Sequence, residues 1–188
     1  PSRYGSSRLP GKPLKPILGK PMIQWVYERA KRAAILKALY VATDDLRIFE
    51  TVMGFGGLAV MTSIDHQSGS DRIAEALRSI EADIVVNIQG DQPFIDPKMI
   101  EEVVAPLLKD PSLNMCTLKH AVKDPKDFAD PSVVKVVTDK YGDALYFSRS
   151  LIPFPREKVR HVVYEHVGIY AYRKSFLCAF SQLDRTLL

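Results

Sequence analysis

Residues 84–91 read Ile-Val-Val-Asn-Ile-Gln-Gly-Asp, an apolar run that ends in an amide, a glycine and a carboxylate. Because residues 84–88 are apolar almost throughout, they predict a parallel strand that is covered on both faces. Ligands of open α/β sheets bind beyond the carboxyl ends of the strands, so we expect Asp91 to project into such a crevice. A carboxylate there can hold Mg²⁺ beside phosphate oxygens, although Gly-Asp after a strand is also common in simple turns.

Helical and extended patterns alternate over the first 110 residues, whereas the later part begins with two strands, 133–138 and 144–148, that are joined by a tight turn. Apolar residues at helical spacing predict helices over 21–34, 45–53, 71–80, 99–108 and 174–183. Short apolar runs bounded by turn residues predict further strands over 39–42, 58–61, 133–138, 144–148 and 164–172. This order favours an α/β fold: a three-layer α/β/α arrangement with a mainly parallel (mixed) central sheet. We expect one domain over residues 1–188.

The first thirteen residues are the second informative stretch: Pro-Ser-Arg-Tyr-Gly-Ser-Ser-Arg-Leu-Pro-Gly-Lys-Pro. They carry the cations Arg3, Arg8 and Lys12, no acid, and small residues that let the backbone approach a ligand. Amide N–H groups and hydroxyls in such a loop can donate hydrogen bonds to a chain of phosphates, while the cations offset its charge. A solvated basic tail is the alternative interpretation, because chain termini are commonly mobile.

Composition limits the function classes. A net charge of +4, spread over 26 basic and 22 acidic residues, fits a small anionic substrate. It gives little support for nucleic-acid binding, which usually uses a basic stripe. The two cysteines, Cys116 and Cys178, indicate buried free thiols rather than a disulfide framework. No signal peptide or apolar run long enough to span a bilayer is visible, so we expect a cytoplasmic protein without membrane insertion.

One glycine-rich stretch is rejected as a cofactor site. Residues 54–59, Gly-Phe-Gly-Gly-Leu-Ala, formally fit the fingerprint of dinucleotide-binding proteins. That fingerprint must follow a strand and open a helix. Here it follows a predicted helix and precedes a predicted strand.

Several motifs in order along the chain closely resemble the 3-deoxy-manno-octulosonate cytidylyltransferases. They are Arg-Tyr-Gly-Ser-Ser-Arg-Leu-Pro-Gly-Lys-Pro-Leu at 3–14, Gly-Lys-Pro-Met-Ile at 19–23, Ala-Thr-Asp-Asp at 42–45, His-Gln-Ser-Gly-Ser-Asp-Arg at 66–72, Asn-Ile-Gln-Gly-Asp-Gln-Pro at 87–93, Ala-Leu-Tyr-Phe-Ser-Arg at 144–149 and His-Val-Gly-Ile-Tyr-Ala-Tyr at 166–172. The resemblance implies a nucleotide-diphospho-sugar transferase-like fold. It also implies transfer of CMP from CTP to 3-deoxy-manno-octulosonate (KDO), giving CMP-KDO and pyrophosphate for lipopolysaccharide biosynthesis, with Mg²⁺ as cofactor and a homodimeric enzyme.

The resemblance also assigns roles to residues. It implies that Lys12, Arg8 and Asp91 are catalytic and that Asp91 binds the metal ion. The nucleotide-binding residues that it implies are Arg3, Ser6, Ser7, Arg8, Lys12, Ser70, Arg72 and Gln89. The sugar-binding residues that it implies are Gln89, Arg149, His166 and Tyr170.

The chain departs from the family pattern in a few places. Many members have Thr, Glu and Glu where this chain has Ser70, Asp71 and Gln92. The family places a second metal-binding aspartate near its C-terminus, and no matching motif occurs before Leu188. A phosphate loop in such a fold also follows a first strand. We therefore interpret the chain as an incomplete version of the family domain at both ends.

Structural roles compete with several of these assignments. Ser70 or Asp71 can simply cap the helix that follows residue 70, without any ligand. Asp44 can position a loop near the nucleotide base or cap the helix over 45–53, and we favour the cap. A histidine and a tyrosine in a strand, such as His166 and Tyr170, are otherwise most often core or edge residues.

Two other functions stay open. One is a cytidylyltransferase for another acidic sugar, such as sialic acid. The other is a non-catalytic module that binds nucleotides or nucleic acid, which the absence of a basic stripe with exposed aromatic residues makes less favoured.

Overall fold

The computed structural model describes residues 1–5, 9–156 and 161–184. The strands are β1 (Pro16–Ile17), β2 (Lys20–Pro21), β3 (Tyr40–Thr43), β4 (Leu58–Met61), β5 (Ile84–Asn87), β6 (Met115–Ala121), β7 (Lys135–Thr138), β8 (Ala144–Ser148) and β9 (Tyr164–Arg173). The α-helices are α1 (Met22–Ala30), α2 (Leu46–Gly54), α3 (Gly69–Ala76), α4 (Pro97–Lys109) and α5 (Lys174–Phe180).

The chain forms two compact units, one of Pro1–Cys116 with Ile169–Leu188 and the other of Thr117–Gly168. In the first unit, β3 pairs with β4 in parallel, and β5 pairs with the end of β9 in an antiparallel register of Asn87 against Tyr170. The sequence predicts a parallel strand at residues 84–88, and the described partner of that strand is antiparallel. The expectation of a single domain stays a prediction.

Helix starts in the first unit follow from local capping chemistry. The side chains of Asp45 and Asp96 accept hydrogen bonds from the backbone N–H groups two residues later, at the starts of α2 and α4. Ser68 caps α3 and forms a capping box with Asp71. Such caps satisfy N–H groups that have no partner within the helix, and they fix where each helix begins.

Two apolar clusters form much of the core of the first unit. Ile23 and Tyr27 of α1 pack with residues of β3 and α2 in one cluster. Ile73 and Leu77 pack with Tyr172 and with Leu177 of α5 in the other. Both clusters place α1, α2, α3 and α5 against strands, as expected for layers of helices on a sheet.

The second unit is an antiparallel structure. β7 pairs with β8, with Val136 opposite Phe147 and an irregularity between Val137 and Thr138. The start of β9 pairs with β7 on its other edge. Lys135 is fully buried there, and its ammonium donates to the carbonyls of Asp130 and Val133.

Most predicted elements are present with shifted ends. The predicted helix over 21–34 stops at Ala30, and the helix predicted from Asp71 begins at Gly69, because Ser68 supplies the cap. The β1–β2 hairpin and β6 were not predicted. The hairpin turns through Leu18 and Gly19, both with positive φ, and Leu18 is an unusual residue for that conformation.

Candidate functional site

Lys12 and Asp91 meet in the first unit. The Lys12 ammonium donates to the Asp91 carboxylate at 2.7 Å, although 79 residues separate them in the sequence. Their side chains are 33% and 48% exposed, so both stay accessible to a ligand from solvent. The basic N-terminal stretch and the carboxylate that follows β5 therefore converge on one place.

A tight turn positions Lys12. Gly11 has φ 67°, and a Cβ at this residue would lie 2.9 Å from the ring of Tyr4, so a side chain is excluded. The Gly11 N–H donates to the Tyr4 carbonyl at 2.9 Å, which closes the loop. The Arg47 guanidinium lies over the Tyr4 ring, 3.4 Å from its centroid, and contributes a further contact to the ring. Lys12 then begins a short 3₁₀ helix, Lys12–Leu14.

A close backbone approach positions the loop that carries Asp91. The Gly90 N–H donates to the Pro1 carbonyl at 3.2 Å. A Cβ at Gly90 would lie 3.0 Å from that carbonyl oxygen and 3.1 Å from Ser2. Only glycine fits this contact without displacement, so Gly90 fastens the N-terminal stretch to the end of β5.

A cavity of about 140 Å³ lies beside these segments. Its lining comes from the chain start, from the loop before α3 and from Gln89, and comprises Pro1, Ser2, Arg3, His66, Gln67, Ser68, Gly69, Arg72 and Gln89. The structure thus brings together three predicted nucleotide-binding residues, Arg3, Arg72 and Gln89. The N-terminus of α3, where N–H groups attract anions, is at the same cavity.

Ser2 is a lining residue that the sequence analysis does not single out. Its hydroxyl is buried and has no hydrogen-bond partner within the part of the chain that is described. A buried hydroxyl without a partner is costly, and a ligand in the cavity can satisfy it. Serine in a loop of small residues gives no sequence pattern that separates this role from a turn role.

Arg72 lines the cavity and is also held by contacts within the protein, and its nucleotide-binding role stays a prediction. It is only 3% exposed, and its guanidinium donates to Asp44 at 2.7 Å and to the Thr62 hydroxyl at 2.6 Å. The Asp44 carboxylate therefore balances the charge of the Arg72 guanidinium, and the two contacts fix the guanidinium in the wall of the cavity. The prediction that Asp44 caps α2 is wrong, because the cap is Asp45 and Asp44 pairs with Arg72.

The segment before α3 is fixed by internal contacts. Glu75 accepts from the Ser63 N–H and contacts His66 Nε2, and these hydrogen bonds, the backbone one first, lower the pKa of the Glu75 carboxyl. The N-cap of α3 is Ser68, so the prediction of an N-cap at Ser70 or Asp71 is wrong. Asp71 takes part in the cap as the other member of the capping box, and its side chain accepts from the Ser68 N–H. Ser70 instead hydrogen-bonds to Tyr172.

Two of the predicted sugar-binding residues lie in the first unit. Tyr170 pairs with Asn87 across the sheet, and the Asn87 side chain accepts from Gln89 Nε2 at 3.2 Å. Tyr170 and Tyr172 are stacked with ring centroids 5.9 Å apart. Burial raises the pKa of the Tyr170 hydroxyl, which therefore stays protonated as a hydrogen-bond donor.

The other two predicted sugar-binding residues, Arg149 and His166, lie in the second unit. Arg149 is exposed, and its guanidinium donates to the Pro131 carbonyl at 2.6 Å. His166 Nε2 is 3.0 Å from the Thr117 hydroxyl, and the Phe147 ring packs edge-on against the imidazole at 4.9 Å. Burial lowers the pKa of His166, which favours the neutral ring. Their roles towards a sugar stay predictions.

Three predicted phosphate-binding residues, Ser6, Ser7 and Arg8, lie outside the described residues. Among the residues that are described, no three His, Cys, Asp or Glu side chains group together as a metal-binding cluster. Asp91 is a single carboxylate beside a basic segment. Mg²⁺ is commonly held by one or two carboxylates together with substrate phosphates, so Asp91 fits such a site.

Both cysteines are free and half-buried rather than fully buried as predicted. Burial raises the pKa of the Cys116 thiol, which disfavours the thiolate form. No helix in the described part is both long and apolar enough to cross a membrane.

Comparison with known proteins decides the family. The family model described as "Cytidylyltransferase" matches residues 1–187. A 3-deoxy-manno-octulosonate cytidylyltransferase of Geobacter metallireducens is 51% identical over this whole chain, which covers 78% of that protein. An enzyme of the same name from Escherichia coli is 52% identical, with 100% of this chain and 76% of that protein covered.

The chain belongs to the 3-deoxy-manno-octulosonate cytidylyltransferase family. Solved structures agree with this. A CMP:2-keto-3-deoxy-manno-octonic acid synthetase, solved in complex with CTP, superposes with a TM-score of 0.94 at 51% identity, over 99% of this chain and 77% of that one. This match confirms the predicted α/β fold class for the cytidylyltransferase.

A more distant structure shows the fold alone. A cytidylyltransferase from Leptospira borgpetersenii superposes with a TM-score of 0.62 at 21% identity, over 98% of this chain and 62% of that one.

The glycine-rich stretch at residues 54–59 has the context that the sequence predicts, since it runs from the end of α2 to the start of β4. It therefore does not follow a strand and open a helix, as the dinucleotide-binding fingerprint requires.

Proposed function

We propose that this protein transfers CMP from CTP to the anomeric hydroxyl of KDO and releases pyrophosphate. The observation that carries the proposal is the 51% identity over nearly the whole chain to a CMP-KDO synthetase that binds CTP. The contact of Lys12 with Asp91 beside the cavity at the start of α3 supports it. This arrangement offers cations, N–H groups and a carboxylate to a triphosphate.

The reaction is an in-line displacement at the α-phosphorus of CTP. The sugar hydroxyl oxygen forms a bond to this phosphorus and its proton is released to solvent, while the bond from the phosphorus to the bridging oxygen of pyrophosphate breaks. Lys12 offsets the charge that develops on the leaving pyrophosphate, and Arg3 at the cavity wall holds phosphate oxygens. Such fixed charges stabilise the transition state without reorganisation, and the protein contributes mainly position and charge.

Mg²⁺ is the cofactor we propose, with Asp91 as its protein ligand. When bound, the ion supplies charge neutralisation at the phosphate oxygens. The Lys12 ammonium donates to the Asp91 carboxylate at 2.7 Å. This contact orients the carboxylate towards the basic segment.

The residues proposed to have roles towards the acidic sugar are Gln89 and Tyr170 in the first unit and, separately, Arg149 and His166 in the second. Arg149 pairs with its carboxylate, since a guanidinium matches a carboxylate with two parallel hydrogen bonds. Gln89, His166 and Tyr170 contact its hydroxyls. The neutral state favoured for His166 and the protonated state favoured for Tyr170 suit hydrogen bonding to an uncharged hydroxyl.

We further propose a homodimer that works in the cytoplasm and supplies lipopolysaccharide biosynthesis. β8 of the second unit exposes Leu145 and Tyr146, at 67% and 57%, and this apolar surface supports a contact between copies. Sedimentation velocity is expected to give a dimer mass, and Leu145→Asp is expected to weaken the association. A monomer at micromolar concentration would remove the homodimer from the proposal.

The activity is tested by pyrophosphate release from CTP with a panel of sugar acids. We expect turnover with KDO and Mg²⁺, and loss of turnover when the metal is chelated. Turnover with sialic acid but not with KDO would reassign the substrate. CTP binding without turnover on any sugar acid would instead indicate a non-catalytic module.

A further inference from the structure

Lys135 of the second unit carries a buried charge that core packing does not explain. It is 0% exposed at the start of β7, although lysine is almost never fully buried unless its ammonium has partners. The ammonium donates to the Asp130 carbonyl at 2.8 Å and to the Val133 carbonyl at 2.7 Å. A buried apolar side chain would fill the same space without the cost of removing a charge from water, so the ammonium itself has a role at this place.

The two carbonyls belong to a tight turn over residues 130–133, which ends one residue before β7. The Val133 N–H donates to the Asp130 carbonyl at 3.2 Å and closes the turn. The Ser132 N–H donates to the Asp130 carboxylate at 2.7 Å. Hydrogen bonds from Ser132, and to a smaller extent the charge of Lys135, lower the pKa of the Asp130 carboxyl. The Lys135 ammonium therefore fastens both ends of a turn that also carries a negative charge.

The same turn holds Arg149, to which the proposed function gives the carboxylate of the sugar. Arg149 Nη1 donates to the Pro131 carbonyl at 2.6 Å. Pro131 lies between the two residues whose carbonyls Lys135 holds. A guanidinium has five N–H donors in one plane, so this bond uses one of them and restricts where the others point. The position of the Pro131 carbonyl thus helps to set the orientation of the guanidinium.

His166 is connected to the end of the same segment. Its N–H donates to the carbonyl of Val134, which stands between the turn and Lys135, at 2.8 Å. On β7, Lys135 lies opposite the residue before Arg149 on one edge and opposite the residue before His166 on the other. One buried lysine thus lies where the strands that lead to both predicted sugar-binding residues of this unit meet β7.

We propose that Lys135 is a positioning residue for the acidic sugar. Its ammonium fixes the turn over residues 130–133, and the turn orients the Arg149 guanidinium for the carboxylate of the sugar. This inference rests on the proposed function, in which Arg149 pairs with that carboxylate. Because Lys135 is fully buried, it acts through Arg149 and does not contact the sugar itself. A guanidinium that is already oriented loses less rotamer freedom on binding, so the sugar binds more tightly.

The first test is kinetic and uses the full chain. Lys135→Met keeps an unbranched apolar side chain and removes the ammonium, and Lys140→Met, at an exposed lysine of the same unit, is the matched control. We expect Lys135→Met to raise KM for KDO about fivefold and to leave KM for CTP unchanged, and the control to change neither. A variant that is merely less stable lowers the active fraction and the apparent kcat, without this split between the two KM values.

The second test asks whether Lys135 acts through Arg149. Arg149→Ala alone is expected to raise KM for KDO, and adding Lys135→Met is expected to raise it little further, because the guanidinium that the turn orients is then absent. Two effects that multiply in full in the double variant would overturn the proposal. An unchanged KM for KDO in Lys135→Met would overturn it as well.

A further variant keeps the test decisive if Lys135→Met does not fold. Pro131→Gly leaves the buried lysine in place and loosens the turn, because glycine lacks the fixed φ of proline. We expect it to raise KM for KDO and to leave KM for CTP unchanged. A KM for KDO equal to that of the parent would show that the turn does not orient Arg149, and would overturn the proposal.

Amide hydrogen exchange, followed by NMR, separates failure of this inference from failure of the proposed function. The Ser132 and Val133 amides are expected to exchange at least about tenfold faster in Lys135→Met than in the parent, and at the parent rate in Lys140→Met. Unchanged exchange in Lys135→Met would overturn the proposal whatever the kinetics. A parent chain that turns over no sugar acid would instead reject the proposed function, and the positioning role with it, even where exchange shows that Lys135 holds the turn.

Discussion

Lys12 and Asp91 are held by backbone features that do not involve a ligand, namely the turn at Gly11 and the contact of Gly90 with Pro1. Their ion pair is half-exposed, and such pairs contribute only about 0–1 kcal/mol to folding. The free energy of unfolding is thus nearly independent of this pair, whereas the proposed reaction depends on both charges. Function and stability can be separated at these two residues.

Asp91→Ala and Lys12→Ala are each expected to lower kcat about a hundredfold, which corresponds to ~3 kcal/mol of transition-state stabilisation. The measurement is the initial rate of pyrophosphate release with saturating CTP, KDO and Mg²⁺. The urea unfolding midpoint of each variant serves as the control and is expected to stay close to that of the parent. Near-normal turnover in either variant would reject the role of that residue.

His166 is expected to titrate below the usual value of 6.5, since burial disfavours its charged form. The unfolded chain then binds more protons than the folded one just below pH 6.5, so the contribution of His166 to stability is complete above this pH. It is lost as the pH falls through the pKa of the folded state. The NMR titration of the His166 ring protons, with the urea-unfolded chain as reference, measures this shift; an equal or higher value in the folded chain contradicts it.

Part of the site follows from sequence at the residue scale. Asp91 is predicted by its place directly after an apolar strand, and Lys12 by its place in a basic, glycine-containing segment. The ion pair of Asp44 with Arg72 is not predicted, because a pair 28 residues apart depends on how the end of β3 packs against α3. The adjacent pair Asp44-Asp45 also offers two equal candidates for one cap, and only the backbone conformation selects Asp45.

At the element scale, the Asp44–Arg72 pair ties the end of β3 to α3. Both side chains are largely buried, at 12% and 4% exposure. Asp44→Ala leaves the guanidinium without its acid, and breaking a buried pair in this way costs about 3 kcal/mol or more. Urea unfolding at neutral pH measures the loss, and Glu28→Ala, which breaks the exposed pair with Lys20, is the matched control with an expected cost of about 1 kcal/mol or less.

The double variant Asp44→Ala with Arg72→Met tests whether the loss of stability in Asp44→Ala comes from the unpaired guanidinium. Removing both charges avoids the unpaired guanidinium, so part of the stability lost in Asp44→Ala is expected to return. A double variant that is less stable than Asp44→Ala would show that Arg72 stabilises the fold mainly through Thr62 and Ser63.

Element types are predictable here because periodicity and capping agree along most of the chain. β4 is predicted with its observed bounds, and α4 begins at Pro97, two residues before its predicted start at residue 99. β6 is missed because Met115–Ala121 mixes apolar, basic and small residues without strict alternation. The direction of β5 relative to its partner β9 is not predictable from the residues of β5, because an apolar run is compatible with a parallel or an antiparallel neighbour.

At the scale of the whole molecule, the fold class follows from the order of the elements, but the division into two units does not. β9 contributes its first residues to one unit and its last residues to the other, so no linker or change in composition marks the boundary. Proline-containing segments occur on both sides of it. The sequence therefore predicts the helices and strands of the first unit and the hairpin of the second, but not the residues at which one unit ends and the other begins.

Whole-molecule charge separates an enzyme for small substrates from a nucleic-acid-binding module. The net charge is only +4, with basic and acidic residues interspersed. A protein that neutralises many phosphates loses affinity steeply with salt, because each contact releases counterions. We expect no measurable binding of a single-stranded oligonucleotide at micromolar protein and physiological salt, measured by fluorescence anisotropy, while CTP binds to the same preparation. Oligonucleotide binding that weakens by about a thousandfold between roughly 50 and 200 mM salt would instead indicate six or more phosphate contacts and favour the nucleic-acid-binding alternative.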